Sequence, residues 1–228
     1  MIIAIDGPAG SGKSTVSKLV AKKLELLYID TGAMYRALTL KAMRKGLDLK
    51  DEAGLADIAR TTEIDLEESA GSIKVILDGE DVTPLIRTPE LTNNVKYIAR
   101  VPAVRAEMVR LQRSIGERSG AVLEGRDIGT VVFPDVDHKF YLDADPDERA
   151  RRRFKELIES GQDVSVEEIK EDVLSRDESD MTRPVGALKK APDAILIDTT
   201  KLSIQEVVDK ILSYIKRENR QNDERRTN

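Results

Sequence analysis

Short apolar runs alternate with longer segments of helical periodicity along the 228 residues of the chain. The runs have the composition of buried strands, and they lie at residues 2–5, 26–29, 121–124, 140–143 and 195–198. Segments with apolar residues three or four positions apart lie between and after them, at 16–24, 34–45, 51–62, 90–99, 103–118, 146–160, 166–175 and 203–216. This alternation predicts an α/β fold in which helices cover both faces of a parallel, five-stranded sheet.

The period changes between Ile64 and Val82. Here Ile73, Val75 and Leu77 alternate with polar residues, and Gly71-Ser72 separates two runs. We therefore expect a small β-hairpin or meander inserted into the α/β pattern. The chain length suits one main domain that carries such an inserted or mobile subdomain.

Composition and charge narrow the classes of function. Hydrophobic residues make up 40% and charged residues 35%, and the longest apolar runs are too short for a membrane span. The first residues lack the features of a signal peptide, so we expect a cytoplasmic protein without a membrane partner. The absence of cysteine excludes disulfides and thiolate chemistry, and one histidine excludes a His-rich metal site. A net charge of −5 argues against nucleic-acid binding, and without a heptad seam we expect a monomer.

A glycine-rich loop follows the first strand and precedes a helix. Gly7–Ser14 fits the pattern G-x-x-x-x-G-K-[ST], whose backbone N–H groups hold the phosphates of a nucleotide. Lys13 is expected to reach the β- and γ-phosphates, and the Ser14 hydroxyl to bind Mg²⁺. The alternative is a glycine-rich turn with a helix-capping serine. The predicted ATP-binding residues are Gly7, Pro8, Ala9, Gly10, Ser11, Gly12, Lys13, Ser14 and Thr15.

Charged residues follow two further predicted strands, at Asp30–Arg36 and Glu124–Asp127. The carboxyl ends of parallel strands border the ligand crevice of an open sheet, where arginines can hold a second phosphate. No Asn-Lys-x-Asp segment, typical of GTPases, is present, so a phosphotransferase is favoured. Glu124 is a candidate for the water shell of the Mg²⁺. Asp6 and Asp143 are either caps at strand ends or outer groups of the Mg²⁺ site.

Two clusters of arginines lie on neighbouring predicted helices. Arg149–Arg153 begins a predicted helix, and Arg176–Arg183 ends the next one. The first cluster is either a solvated helix face or a mobile lid whose arginines, Arg152 among them, neutralise the transferring phosphoryl group. Such a reaction needs no general base, because an acceptor phosphate is already a nucleophilic oxyanion.

Several motifs together resemble bacterial cytidylate kinases, a family of P-loop nucleoside monophosphate (NMP) kinases. They are Ile5–Ala9 leading into the phosphate loop, Asp30–Arg36, Gly125–Asp135 and Ile197–Thr200, and the match runs in order from about residue 2 to 216. The resemblance implies an NMP kinase fold with a β-insert and a helical lid. It divides a single kinase domain, 1–228, into a core (1–35, 84–145 and 185–228), an NMP-binding region (36–83) and a lid (146–184).

The resemblance also implies a function, the ATP- and Mg²⁺-dependent phosphorylation of CMP and dCMP. It places a set of residues around the acceptor: Thr31, Arg36, Arg105, Arg126, Asp127, Arg176, Asp180 and Arg183. Arg36, Arg126 and Arg183 are expected to hold the phosphate of the acceptor, and the last two also to reach the transferring group. Arg105 and Asp127 are expected to read cytosine, and Arg176 and Asp180 to contact the sugar.

One position departs from the family. Relatives carry a serine near the base where this chain has Lys96. If Lys96 points into the pocket, it alters the discrimination between CMP and UMP, and if it turns outward, the discrimination stands. The alternatives to a cytidylate kinase are a kinase for another small acceptor, such as UMP, AMP or shikimate, and a non-catalytic regulator that binds ATP.

Overall fold

The computed structural model describes residues 1–69, 72–159 and 161–227 of the chain. Five parallel strands form the central sheet in the order β2-β6-β1-β7-β8. These strands are β1 (Ile2–Asp6), β2 (Leu27–Asp30), β6 (Ala121–Gly125), β7 (His138–Asp143) and β8 (Ile195–Asp198). The predicted five-stranded parallel sheet is confirmed.

Helices cover both faces of this sheet. They are α1 (Lys13–Leu24), α2 (Thr31–Arg44), α3 (Glu52–Arg60), α4 (Pro89–Ala99), α5 (Pro102–Ser119), α6 (Pro146–Glu159), α7 (Val166–Met181) and α8 (Ile204–Thr227). Because successive strand residues point to opposite faces, Ile3 and Ile5 pack with α1 and α8, whereas Ala4 packs with α2 and α5. Each face of the sheet therefore has its own apolar core.

A second, antiparallel sheet is inserted between α3 and α4. It consists of β3 (Ile64–Ser69), β4 (Ser72–Leu77) and β5 (Glu80–Asp81). The alternating apolar residues turn inward, and Val75 and Leu77 are buried against the core. The predicted insert is present, although Gly71 lies outside the described residues.

Some element boundaries differ from the expected ones. Helix α2 begins at Thr31 rather than at residue 34, because the Asp30 side chain accepts a hydrogen bond from the Ala33 N–H. Helix α7 continues to Met181 rather than 175, and Asp177 on its last turns forms a buried ion pair with Arg149. Helix α8 extends to Thr227, past residue 216. The predicted end of α6 at Ser160 lies outside the described residues.

A short π-helix, Ile128–Val132, follows β6 and was not predicted. Such segments are frequently found at functional sites. Among the described residues, no helix is both long and apolar enough to cross a membrane.

Candidate active site

The carboxyl ends of the central strands lie side by side and open into one large cleft. Asp6 pairs in register with Gly125, and Asp30 with Glu124, so the segments that follow β1, β2 and β6 converge. The cleft has a volume of about 1600 Å³. Predicted site residues that line it are Ala9, Gly10, Ser11, Gly12, Lys13, Ser14, Thr15, Thr31, Arg36, Lys96, Arg105, Glu124, Arg126, Asp127, Arg152, Arg176, Asp180 and Arg183. Gly7 and Pro8 lie behind this lining.

The glycine-rich loop between β1 and α1 is closely packed. Gly7 has a φ of 151°, and a Cβ there would collide with the carbonyl oxygen of Leu142. Gly10 has a φ of 77°, and a Cβ there would lie 2.9 Å from the carbonyl oxygen of Arg149. Both positions require glycine, and the loop keeps its main chain open toward the cleft.

Lys13 is buried at the base of this loop. Its Nζ donates a hydrogen bond to the Pro8 carbonyl oxygen at 2.6 Å, so the lysine closes the loop on itself. Burial, and then the charge of Arg126, lower the pKa of Lys13 to about 7. A nearby polyanion would favour the charged form and draw the ammonium group away from Pro8.

Glu124 joins the loop to the edge of the sheet. Ser14 Oγ donates to Glu124 Oε2 at 2.9 Å, and the Tyr28 hydroxyl donates to the other carboxylate oxygen. Burial and, second, the charge of Asp30 raise the pKa of Glu124. Tyr28 was missed in the sequence, because its strand pattern did not show that its hydroxyl would reach Glu124.

The oxygen atoms of Ser14 and Glu124 suit a hard cation such as Mg²⁺. Within the described ranges, no three His, Asp or Glu side chains converge on a common metal position. The residues present therefore fit a Mg²⁺ ion that completes its coordination with phosphate oxygens and water, and they do not fit a closed protein site.

Arg105 and Asp127 form a buried ion pair on the far side of the cleft. Arg105 also donates to the Ala99 carbonyl oxygen at 3.2 Å, and its guanidinium lies 5.6 Å from the centre of the Tyr35 ring. A Cβ at Gly186 would collide with both charged groups. Gly186, on the segment after α7, was not identified from the sequence.

Asp180 forms ion pairs with two more arginines of the cleft, Arg126 and Arg183. It accepts hydrogen bonds from Arg126 Nε at 2.6 Å and from Arg183 Nη2 at 2.8 Å. Burial alone would raise the pKa of Asp180, but these arginines hold it below its usual value. Burial, and then Arg126, lower the pKa of Arg176 to about 10, which leaves Arg176 protonated at neutral pH.

The start of α2 supplies the remaining predicted acceptor residues. Arg36 Nη2 donates to Asp30 Oδ2 at 3.0 Å, and the more exposed Arg87 lies 3.8 Å from the same oxygen. The Thr31 hydroxyl donates to the Glu124 carbonyl oxygen at 2.7 Å. Lys96 is exposed on α4, where its Nζ lies 5.4 Å from the centre of the Tyr97 ring.

Three arginines of the cleft carry an unused donor. In the part of the chain that the structure describes, the buried Nε atoms of Arg36, Arg105 and Arg183 have no hydrogen-bond partner. Buried donors of this kind are rare in folded proteins and are satisfied by ligands or water. The three guanidinium groups line the same cleft as Lys13 and Arg126, so this cleft is suited to an oxyanion ligand.

The arginine cluster on α6 divides between the two interpretations. Arg149 is buried and donates to the Ala9 carbonyl oxygen at 3.2 Å, whereas Arg151 is 67% exposed and pairs with Glu148. Arg152 donates to the Thr199 carbonyl oxygen at 2.7 Å and to its hydroxyl at 3.0 Å. The solvated face therefore fits Arg151 but not Arg149 or Arg152.

Of the two carboxylates at strand ends, Asp6 caps the start of the π-helix. Its oxygens accept the backbone N–H groups of Ile128 and Gly129 at 2.8 Å each. Burial raises its pKa to about 6, although these two hydrogen bonds oppose the shift. Asp143 accepts the N–H of its neighbour Ala144.

Comparisons with known proteins agree with this geometry. The family model described as cytidylate kinase matches residues 3–217. A cytidylate kinase of Pelotomaculum thermopropionicum is 50% identical over 214 residues, 93% of this chain and 95% of the relative. One of Bacillus subtilis is 49% identical over 218 residues, 96% and 97% of the two chains.

A solved structure is similar in fold. The crystal structure of an uncharacterized protein from Eubacterium ventriosum aligns with a TM-score of 0.53 and 16% identity. The alignment covers 95% of this chain and 98% of that one. At this identity the likeness concerns the fold alone.

Proposed function

This chain belongs to the cytidylate kinase family, and from that premise we propose which residues bind and activate its substrates. It is a nucleoside monophosphate kinase that phosphorylates CMP, with ATP as co-substrate. The sequence-based prediction of the family, of the enzyme class and of CMP phosphorylation is confirmed.

The phosphate loop holds the donor in this proposal. Backbone N–H groups between Gly7 and Thr15, those of every residue except Pro8, surround the triphosphate of ATP, and the positive end of α1 points at it. Lys13 exchanges its hydrogen bond with Pro8 for the β- and γ-phosphates and follows their charge during transfer. Support comes from the burial of Lys13, which makes an anionic partner more favourable there than on the surface.

Ser14 would hold a Mg²⁺ ion directly, and Glu124 would hold it through water. A bound Mg²⁺ ion would supply positive charge that offsets the negative charge of the ATP phosphates. Tyr28 and Ser14 fix the two oxygens of Glu124 by hydrogen bonds, so the carboxylate is oriented before any ion arrives.

Arg36, Arg126 and Arg183 hold the phosphate of the acceptor. The observation that carries this assignment is the unused Nε donor of Arg36 and of Arg183, because a phosphate oxygen would satisfy each one. An oxygen of the CMP phosphate attacks the γ-phosphorus of ATP, and the bond between that phosphorus and the oxygen bridging it to the β-phosphate breaks. Arg126, Arg183 and Arg152 then stabilise the charge that is being transferred.

Arg105 and Asp127 recognise the base. The arginine donates toward cytosine O2 and N3, and the carboxylate accepts from the exocyclic amine. Uracil presents an oxygen at that position, which leaves the buried carboxylate facing a lone pair. Arg176, Asp180 and Thr31 line the sugar side, and we propose that dCMP is also accepted. Lys96 lines the cleft, but it is exposed and its Nζ lies over the Tyr97 ring, which supports an orientation away from Arg105 and Asp127.

The division into a core, an NMP-binding region at 36–83 and a lid at 146–184 is part of the proposal. One polypeptide supplies both halves of the cleft, which supports a monomeric enzyme. Because both substrates are intracellular nucleotides, we propose that the enzyme acts in the cytoplasm.

The experiment is a measurement of ADP formation from Mg·ATP with CMP, dCMP, UMP, AMP, GMP and no acceptor. We expect the fastest turnover with CMP and dCMP and none with the Lys13→Ala variant, which serves as the blank. ADP release that does not depend on the acceptor would indicate an NTPase. Binding of ATP without any turnover would indicate a regulator.

A further inference from the structure

Asp6 links the two halves of the cleft, although the reaction proposed above does not use it. It is the last residue of β1 and immediately precedes Gly7 of the phosphate loop. Its side chain is 4% exposed, and its oxygens accept the N–H groups of Ile128 and Gly129 at 2.8 Å each. The residue that directly precedes the donor loop therefore fixes the first turn of the π-helix.

The π-helix in turn follows directly on Arg126 and Asp127. Asp127 is its N-terminal flanking residue and has no side-chain capping hydrogen bond of its own, so its carboxylate is free to pair with Arg105. Without Asp6, the first two N–H groups of the π-helix would lose their acceptors inside the protein. The orientation of Asp127 thus depends on a carboxylate on the neighbouring strand.

The charges around Asp6 show that it acts through these hydrogen bonds and not as the partner of a cation. Lys13 points to Pro8, and Lys139, which packs its side chain beside Gly129, donates to Pro134 and to Asp193. Burial of a carboxylate without a cation in direct contact is unfavourable, and the two N–H donors compensate for it.

We propose that Asp6 is a positioning residue for base recognition, which holds the π-helix so that Asp127 meets the exocyclic amine of cytosine. The inference rests on the proposed role of Asp127. Because Asp6 directly precedes the phosphate loop, the same residue connects the donor loop to the segment that carries the base-reading carboxylate.

The test is the Asp6→Asn variant, which has nearly the same shape. Its amide offers one acceptor oxygen, and its NH₂ group would face the second backbone N–H. The measured quantities are kcat/KM for CMP and for UMP, their ratio, and the KM for ATP. Asp51→Asn is the control, since Asp51 also caps a helix by accepting a backbone N–H, that of Gly54, but does not line the cleft. Circular dichroism and the melting temperature monitor the fold.

We expect Asp6→Asn to lower the CMP to UMP ratio by about tenfold, because small displacements of a recognition group have effects of this size or larger. The KM for ATP should stay within about twofold, and Asp51→Asn should change neither quantity. In the Asp127→Asn background, Asp6→Asn should have no further effect on the ratio, since the group that it positions has lost its charge.

Two outcomes distinguish a failure of the positioning role of Asp6 from a failure of the base assignment of Asp127. If Asp127→Asn lowers the ratio and Asp6→Asn does not, the positioning role is wrong while the base assignment stands. If Asp127→Asn leaves the ratio unchanged, the base assignment fails and the inference fails with it. Should Asp6→Asn not fold, Asp6→Ser, whose hydroxyl can accept one N–H, is used with the same expected outcome.

Discussion

The donor and acceptor halves of the cleft hold phosphate groups by different means. The donor half is a contiguous loop of main-chain amides with one buried lysine, Lys13. In the acceptor half, four arginines are already paired with carboxylates. Arg105 pairs with Asp127, Arg126 and Arg183 share Asp180, and Arg36 pairs with Asp30.

This difference has a physical consequence. Main-chain amides carry no net charge and bind any polyphosphate of suitable shape. Arginines in a buried cluster repel one another, so each needs a carboxylate to keep it in place before the substrate arrives. The acceptor half is therefore preorganised by ion pairs, and selectivity for one nucleotide can be built into those pairs.

Breaking the buried pair of the acceptor half should have the largest effect. Arg105→Met leaves Asp127 without its cation, and we expect the free energy of unfolding in urea to fall by about 3–5 kcal/mol. Adding Asp127→Asn should restore part of the loss, because it removes the uncompensated charge. Arg60→Met, which breaks an exposed ion pair with Asp57, is the control and should have no measurable effect. If Arg105→Met and Arg60→Met lowered the free energy of unfolding equally, the acceptor half would not depend on its buried ion pair.

Removing a phosphate-binding arginine should come next. We expect Arg126→Ala to lower kcat by about 10²–10³-fold for every acceptor, since it removes stabilisation of the transferring charge. Arg126→Lys should be intermediate, because it keeps the charge but not the planar fork. Steady-state rates with CMP and UMP measure the effect, and Arg44→Ala, on an exposed pair with Glu80, is the control. A loss confined to CMP would assign Arg126 to the base instead.

The fold could be predicted because its signals are local. The β-branched runs, the helical periods and the change to alternation near Ile73 each act within a few residues. The π-helix at Ile128–Val132 could not be predicted, because the carboxylate that caps it belongs to a strand more than 120 positions earlier. The continuation of α7 to Met181 likewise depends on the pairing of Asp177 with Arg149.

The residues of the candidate site, too, could be predicted only where they are neighbours in the sequence. The donor loop is recognisable because its glycines, Lys13 and Ser14 are contiguous. The acceptor arginines come from α2, α5, α7 and two loops, so only the resemblance to a family grouped them. Neither the contact of Tyr28 with Glu124 nor that of Gly186 with Arg105 has a local signal, since each exists only after the chain has folded.

The donor half can be probed with two neighbouring arginines of α6. Arg152 contacts Thr199, whose hydroxyl donates to the Ser11 carbonyl oxygen at 3.1 Å, so it supports the phosphate loop. We expect Arg152→Ala to lower kcat/KM for ATP by about tenfold, the value of a charged hydrogen bond. Arg151→Ala, on the exposed face, should leave it unchanged. If neither variant changed kcat/KM, Arg152 would belong to the solvated face together with Arg151.

The smallest predicted effect is a change in protonation on the donor side. The pKa of Lys13 is about 7 in the protein without nucleotide, so at pH 8 most of its amine is neutral. The negative charge of Mg·ATP favours the charged form, raises this pKa and makes binding take up close to one proton at pH 8. At pH 6 the lysine is already protonated, and the uptake should be nearly absent. Calorimetry of Mg·ATP binding in buffers of different ionisation enthalpy measures it. The Lys13→Arg variant stays protonated at both pH values and should show no uptake, and an equal uptake in the two proteins would show that another group titrates.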